Sequence, residues 1–398
     1  MRILVVANDY KPRWGGIAEL SYQVSSGLAR QNHDVTVLTE SGADFAGLRF
    51  ENHRVSGCLK SAPTRGPSMM RRLQVVSQNR WNARTIRKKI GEQTPDHVLC
   101  TNLKAYHADV FPSASIPYSL FLHGEEIAAL LDRGSGRKIQ LSDCLRSSER
   151  LFFNSRYSRD LAIRQFPDLL DRSVVTGCGT AVKAATKPDR QLSRLEHGWT
   201  DEPILLTVCR QHRRKGIDLV IRALPAIRRQ FPRCRYIVAG DGPHQEEFQR
   251  VASKLGIHDA VTFLGEVSES HKAKLYHAAD LFVMPSRPGA SGEVEGFGIS
   301  FLEANASGLA VVGSDVGGIP DAVADGINGV LVPPENVSAL ADAVTELLSE
   351  PQRCLRMARE GQKRIQEEYN WPSICSLIET HLSESHDSDA TRQKLGVN

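Results

Sequence analysis

The chain is poor in the features that mark several classes of protein. Its eight cysteines (Cys58, Cys100, Cys144, Cys178, Cys209, Cys234, Cys354 and Cys375) are scattered singly, with no Cys-x-x-Cys pair and no histidine at metal-ligand spacing. That usage argues against a disulfide framework and reads as reduced thiols. No segment approaches the roughly 20 apolar residues that span a bilayer. The opening "MRILVVANDY" is too short an apolar stretch for a signal peptide. The expected location is therefore the cytoplasm. Charge of one sign does not dominate either: 50 Lys and Arg against 46 Asp and Glu leave +4 over 398 residues, too little to make nucleic acid the main partner. No Gly-x-Gly-x-x-Gly follows the first apolar run, so the dinucleotide fingerprint is missing there. The only Asp-x-Asp, Asp387-Ser388-Asp389, stands in a polar tail and is not read as a metal motif.

What the chain does contain is alternation. Short β-branched runs ("RILVVA", "DVTVLT", "DHVLCT", "YSLFLH", "RLFFNS", "SVVTGC") alternate with longer amphipathic stretches, the first of them a helix over 17–30. After a polar stretch at 181–203 the rhythm restarts with "PILLTVC", "RYIVAG", "AVTFLG", "LFVMP", "AVVGS" and "GVLVP". Strands alternating with helices predict parallel sheets covered on both faces. The length exceeds one ordinary core, so two such blocks predict two doubly wound α/β domains. Ligands of such sheets bind beyond the carboxyl ends of the strands, so chemistry is sought just after each run.

Five stretches there carry suitable residues. Gly15 and Gly16 in "PRWGGIAEL" precede the first helix, where close backbone approach and a helix N-terminus suit an anion, although a plain turn explains Gly-Gly equally well. Arg210 and Lys215 in "CRQHRRKGID" place two cations at a strand-to-helix junction, which suits a diphosphate. Arg213 and Arg214 between them read as solvated. In "EVEGFGISFLE" Glu295 stands in a loop, while Glu303 lies inside a mostly apolar helix expected at 299–307. A carboxylate buried there needs partners. Sugar and ribose hydroxyls suit it, and a nearby arginine is the plainer alternative. His123 in "FLHGEE" ends a strand, from which it can donate to a developing anion or a substrate hydroxyl. The glycine turns "VAGDGP" and "FLGEV" stand where backbone groups can frame a base.

Together these motifs resemble those of retaining glycosyltransferases of the GT-B fold, specifically glycosyltransferase family 4, over almost the whole chain. The Glu-x7-Glu motif falls on Glu295 and Glu303, the Arg and Lys phosphate pair on Arg210 and Lys215, the glycine loop on Gly15 and Gly16, and the strand-end histidine on His123. "PRWGG", "HGEE" and "EVEGFG" are similar to the branch with bacterial phosphatidylinositol mannosyltransferases and exopolysaccharide transferases. "VVTGCGTAV" departs from the family's usual Asn-Gly-Val-Asp loop. The resemblance implies two Rossmann-like domains facing across a cleft: an acceptor domain at 1–185, a nucleotide-sugar domain at 201–365, a helix at 366–384 crossing back, and a disordered tail at 385–398. It implies that Glu303 binds the ribose. Glu295 with the backbone of Phe297, Gly298 and Ile299 would hold the transferred sugar, and Gly265 to Val267 would frame the base. Arg210 and Lys215 would stabilise the diphosphate, with no cofactor and no metal required.

The activity so implied is transfer of a hexose from a UDP- or GDP-sugar to a hydroxyl acceptor, a glycan, lipid-linked or small-molecule one. A GDP-mannose-dependent phosphatidylinositol mannosyltransferase is the narrower alternative. A nicotinamide-dependent oxidoreductase and a non-catalytic nucleotide-sugar sensor are the readings from other classes. Charge is uneven in one place: residues 60–89 hold Lys60, Arg65, Arg71, Arg72, Arg80, Arg84, Arg87, Lys88 and Lys89 with no Asp or Glu, interleaved with Leu73, Val76 and Trp81. A basic, partly apolar helix over 65–89 suits an anionic inner membrane face or an anionic acceptor, and a solvated helix face explains it equally well.

Overall fold

The computed structural model describes all residues except 14, 41–51, 62–67, 105–106, 112–115, 125–126, 128–141, 181–189, 290–291 and 396–398, and the side chains of 68–72, 108 and 385–395. Glu125 and Glu126, Arg65, the side chains of Arg71 and Arg72, those of Asp387 to Asp389, and the expected boundary at 185 therefore lie outside the described residues.

Two sheets organise the chain. The first comprises β1 (Arg2–Val6), β2 (Asp34–Glu40), β3 (Arg54–Leu59), β4 (His97–Cys100), β5 (Tyr118–Leu122), β6 (Arg150–Phe153) and β7 (Ser173–Val175), in the order β3-β2-β1-β4-β5-β6-β7. The second comprises β8 (Ile204–Val208), β9 (Arg235–Ala239), β10 (Val261–Gly265), β11 (Leu281–Met284), β12 (Ala310–Ser314) and β13 (Gly329–Val332), in the order β10-β9-β8-β11-β12-β13. Their strand pairings are parallel. Each sheet is built outward from β1 or β8 to one edge and then crosses over to build the other, so the order reverses between β1 and β4 and between β8 and β11. The central strands are continuous apolar runs because helices cover both faces. β8 is buried at every residue.

The twelve expected strands are present. The sequence reading contains no strand over Arg54–Leu59, because β3 is an edge strand paired only with β2 and mostly not buried, so it shows no apolar run. Two units emerge: Met1–Gly177 with Trp371–Asn398, and Cys178–Asn370. The polar stretch that reads as a linker contains the helix Arg190–Glu196, which belongs to the second unit. Charge rather than apolar area holds it there. The buried Arg194 guanidinium donates to the carbonyls of Thr200 (2.7 Å) and Ala278 (2.8 Å) and to that of Glu202, and it pairs with Asp280 at 3.3 Å.

The last helix, Trp371–Leu395, returns the chain to the first unit. Its buried residues Trp371, Ile374, Cys375, Ile378 and Leu382 recur at helical spacing. Residues 385–395, expected as a disordered tail, continue this helix. No glycine or proline follows Pro372 until Gly396, so nothing in the sequence ends the helix earlier. The helix Gly16–Arg30 packs against it without room to spare, since a Cβ at Gly27 would stand 2.2 Å from Cys375 Sγ. Gly27→Ala is therefore expected to cost about 1–3 kcal/mol by overpacking. Thermal and urea unfolding would show it, with part of the loss recovered in Gly27→Ala/Cys375→Ala; an unchanged single variant would contradict this contact.

Candidate functional site

The second unit concentrates charge where its strand order reverses. The chain leaves β8 through Cys209 and the exposed Arg210, then makes a short turn at Arg213–Lys215 before the helix Ile217–Gln230. Gly216 at the junction has φ 74°, and a Cβ there would stand 2.0 Å from the carbonyl oxygen of Pro285, just past β11. Only glycine lets the two strand exits approach so closely. Among the described residues no ion pair occupies Arg210.

That approach sets Lys215 against the loop after β11. Lys215 Nζ donates to Glu295 Oε2, and Arg214 Nη1 lies 3.3 Å from the same oxygen. All three side chains are largely buried, and the Gly318 amide donates to the Glu295 carbonyl at 2.8 Å. Burial alone raises the Glu295 pKa, but Lys215 and then Arg214 outweigh it and hold the carboxyl below its ordinary 4.5. From the sequence Arg214 is expected to be solvated. The structure corrects this, because the turn points Arg214 at Glu295 and turns only Arg213 outward, to Glu247 at 2.8 Å. Three consecutive basic residues carry no signal of which one faces inward. Burial, Arg210 and Arg214 lower the pKa of His212 in the same loop, in that order, leaving it neutral among the cations.

From Glu295 the chain passes the buried Phe297 and Gly298, at φ 91°, into the helix Ile299–Ala306. No side chain caps this N-terminus, so its first amides are left for other acceptors. Ser300 Oγ donates to the Val208 carbonyl at 2.8 Å, which ties the helix to the end of β8. One turn on, Glu303 receives Lys272 Nζ on Oε1 at 2.8 Å and Tyr276 Oη on Oε2 at 2.9 Å. Glu303 is thus paired, with a lysine and a tyrosine instead of the arginine the plainer reading anticipates. Lys272 and Tyr276 come from the helix Glu269–Ala278, whose single histidines, lysines and aromatic show no distinguishing pattern in sequence. Gly265 ends β10 with φ 65°, and Gly265 and Val267 lead directly into that helix. In "VAGDGP", by contrast, Gly240 and Gly242 are fixed by packing on Cys209 and Gln211 of the β8 exit.

In the first unit Gly15, at φ 145°, stands just ahead of the helix Gly16–Arg30, and both glycines are exposed. His123 follows β5 and is nearly buried. Its Nε2–H donates to the Thr101 carbonyl beyond β4 at 2.7 Å, which fixes the ring and spends that proton on the backbone. Among the described residues no three of His, Cys, Asp or Glu cluster as metal ligands, and no helix is long and apolar enough to cross a membrane.

Two Rossmann-like units of this kind, with acids and bases gathered at the strand exits of the second, define the GT-B class of glycosyltransferase. The family "Glycosyl transferases group 1" matches residues 189–364 and "Glycosyltransferase Family 4" matches residues 14–183. The two matched segments together take in most of the chain and mark it as a glycosyltransferase. It is 27% identical over 96% of its length to the GDP-mannose-dependent alpha-(1-6)-phosphatidylinositol monomannoside mannosyltransferase of Mycobacterium tuberculosis, covering 98% of that protein. It is 36% identical to the enzyme of the same name from Mycolicibacterium smegmatis over 55% of the chain and 58% of that protein. Sucrose-phosphate synthase from Thermosynechococcus elongatus has the same fold, with a TM-score of 0.81 at 21% identity over 97% of this chain and 99% of that one.

A double-mutant cycle would test the ion pair that organises the site. Lys215→Met, which leaves Glu295 only Arg214, is expected to cost about 1.5–3 kcal/mol in urea unfolding. Lys215→Met/Glu295→Gln should cost less than the sum of the single changes by about 1 kcal/mol. Because the Glu295 pKa is depressed, this stabilisation is present above pH 4.5 and lost as pH falls through the lower folded value. Strict additivity would show that the pair contributes nothing.

Proposed function

We propose that the chain is a retaining, metal-independent hexosyltransferase that moves a hexose from a UDP- or GDP-sugar to a hydroxyl acceptor in glycolipid or exopolysaccharide synthesis. The observation that carries this reading is the Lys215–Glu295–Arg214 cluster at the β8/β11 reversal. In this proposal Arg210 and Lys215 take the diphosphate, and Glu303 takes the ribose. Glu295 and the uncapped amides following Phe297, at Gly298 and Ile299, hold the sugar. Gly265 and Val267 border the base, while Gly15, Gly16 and His123 serve the acceptor side.

The chemistry follows from charge. As the nucleoside diphosphate leaves, the anomeric carbon turns oxocarbenium-like and the phosphate gains negative charge. Lys215, fixed beforehand by Glu295, stabilises that anion with little reorganisation, and Arg210 adds a second positive charge. No carboxylate is assigned here as nucleophile, so the leaving phosphate takes the acceptor proton and attack occurs on the same face. In this proposal Arg210 and Lys215 neutralise the phosphates, the part a divalent ion would otherwise take.

GDP-mannose as donor and a phosphatidylinositol mannoside as acceptor form the narrower reading. The full-length similarity to a mannosyltransferase of that name favours it. So does the helix Ser68–Gln93, which buries Ala83 and Ile86 while exposing Leu73, Val76 and Trp81 beside Arg80, Arg84, Arg87 and Lys88. Lys60 Nζ lies 3.9 Å over the Trp81 ring. Such a surface suits anionic lipid at the inner membrane face.

Two experiments test these readings. In a thermal-shift screen, a nucleotide sugar at 100-fold over Kd adds about 2.7 kcal/mol to stability. The cognate donor should raise Tm, and silence from every UDP- and GDP-sugar would refute the donor. With that donor, Lys215→Ala and Arg210→Ala should each lower kcat by about 100-fold or more, and wild-type turnover should persist in EDTA with retained anomeric configuration by NMR. For the lipid surface, Arg80→Glu/Arg84→Glu should lose co-sedimentation with phosphatidylglycerol vesicles. Unchanged binding would remove the membrane contact.

A further inference from the structure

The hold on Glu303 goes beyond neutralising a partly buried acid. Lys272 and Tyr276 are four residues apart on the helix Glu269–Ala278 and so share one face of it. They divide the carboxylate between them, Lys272 on Oε1 and Tyr276 on Oε2. A carboxylate pinned at both oxygens cannot rotate about its terminal bond, yet each oxygen keeps acceptor capacity. The holders are themselves fixed. Lys272 is 9% exposed and also pairs with Glu269 at 3.1 Å. Tyr276 is fully buried with its ring 6.0 Å from that of Phe282. Ser268 caps the helix by accepting from the His271 amide at 3.2 Å. Both holders stay protonated. Burial works against the charge of Lys272, but Glu303 and Glu269 outweigh it, and burial followed by Glu303 raises the Tyr276 pKa.

We propose that Lys272 and Tyr276 are positioning residues that fix the plane of the Glu303 carboxylate for the vicinal hydroxyls of a nucleoside ribose, and so set the preference for ribo- over deoxyribonucleotides. This rests on the donor reading above and adds residues and a specificity to it. The chain order supports it: Gly265 to Val267, given to the base, run straight into the helix that carries both holders, as base and ribose are joined in the ligand. A freely rotating carboxylate would accept one hydroxyl as readily as two. The pinned one presents a remaining acceptor direction on each oxygen in a fixed plane, and a deoxy sugar forfeits the hydrogen bond that its missing hydroxyl would donate there.

The test uses the full chain and measures binding of UDP and GDP and of their 2′-deoxy and 2′,3′-dideoxy counterparts by calorimetry. Tyr276→Phe keeps the ring and removes only the hydroxyl. It is expected to weaken binding of the ribonucleotide by about tenfold, to leave the dideoxy form little changed, and so to collapse the ratio between them. Lys272→Met should do the same and Lys272→Arg should restore most of the ratio. With the cognate sugar donor, KM should rise by a larger factor than kcat falls. A Tyr276→Phe protein that melts as wild type yet keeps the full ribo-to-dideoxy ratio would overturn the positioning role while leaving the donor reading intact. A wild-type chain that binds neither UDP nor GDP would overturn both.

Discussion

One buried carboxylate organises the second unit. Glu295 sits on a loop that on composition alone has no reason to be ordered, and an isolated ionised acid at that depth would be too costly to keep. Lys215 and Arg214 make it tolerable, and in satisfying it they are themselves fixed in position. The constraint is reciprocal: without the acid, Lys215 and Arg214 lose the partner that aims their side chains inward, and without the turn, the loop after β11 holds an uncompensated charge. Local backbone features serve this meeting. Gly216 allows contact with Pro285, and the Gly318 amide holds the Glu295 carbonyl.

From that anchor the rest of the site follows in chain order. Glu295 leads through Phe297 and Gly298 into a helix whose first amides have no capping side chain, whose Ser300 grips the end of β8, and whose Glu303 is held from a neighbouring helix. One acid stands before the helix entrance, held by Lys215 and Arg214, and the other a turn inside it, held by Lys272. Cations beside the acids do not cancel their value to a ligand. They fix where oxygens and ammonium groups stand before anything binds, which is what a site for a charged, hydroxyl-rich molecule requires.

Much of the architecture was legible in the chain because central parallel strands are buried on both faces and must be apolar throughout. "RILVVA" and "PILLTVC" announce themselves, whereas "RVSGCL" does not, since an edge strand has one neighbour and a solvated side. The helix Arg190–Glu196 was hidden for the opposite reason, because a buried arginine hydrogen-bonded to carbonyls holds it and no apolar stripe betrays it. Of the proposed site residues, Glu295, Arg210 and Lys215 stand out in the sequence as charge near glycine at a strand exit, and Glu303 as an acid inside an apolar helix. Their roles remain a proposal. Arg214, Lys272 and Tyr276 were not visible, because which basic residue of a turn points inward, and which helix lies opposite a given acid, are decided by tertiary packing that no local spacing encodes.

The first unit is assembled from two segments far apart in the chain, Met1–Gly177 and the helix that starts at Trp371. A ribosome making this chain releases every residue of Cys178–Asn370 before it releases the piece that finishes Met1–Gly177. Domains tend to fold as they emerge, so the unit begun first is completed last. Until the segment from Trp371 onward has emerged, the side chains that bury Ile374, Ile378 and Leu382 lack that cover, so a chain stalled or cut short of those residues leaves apolar surface bare in the unit it began with.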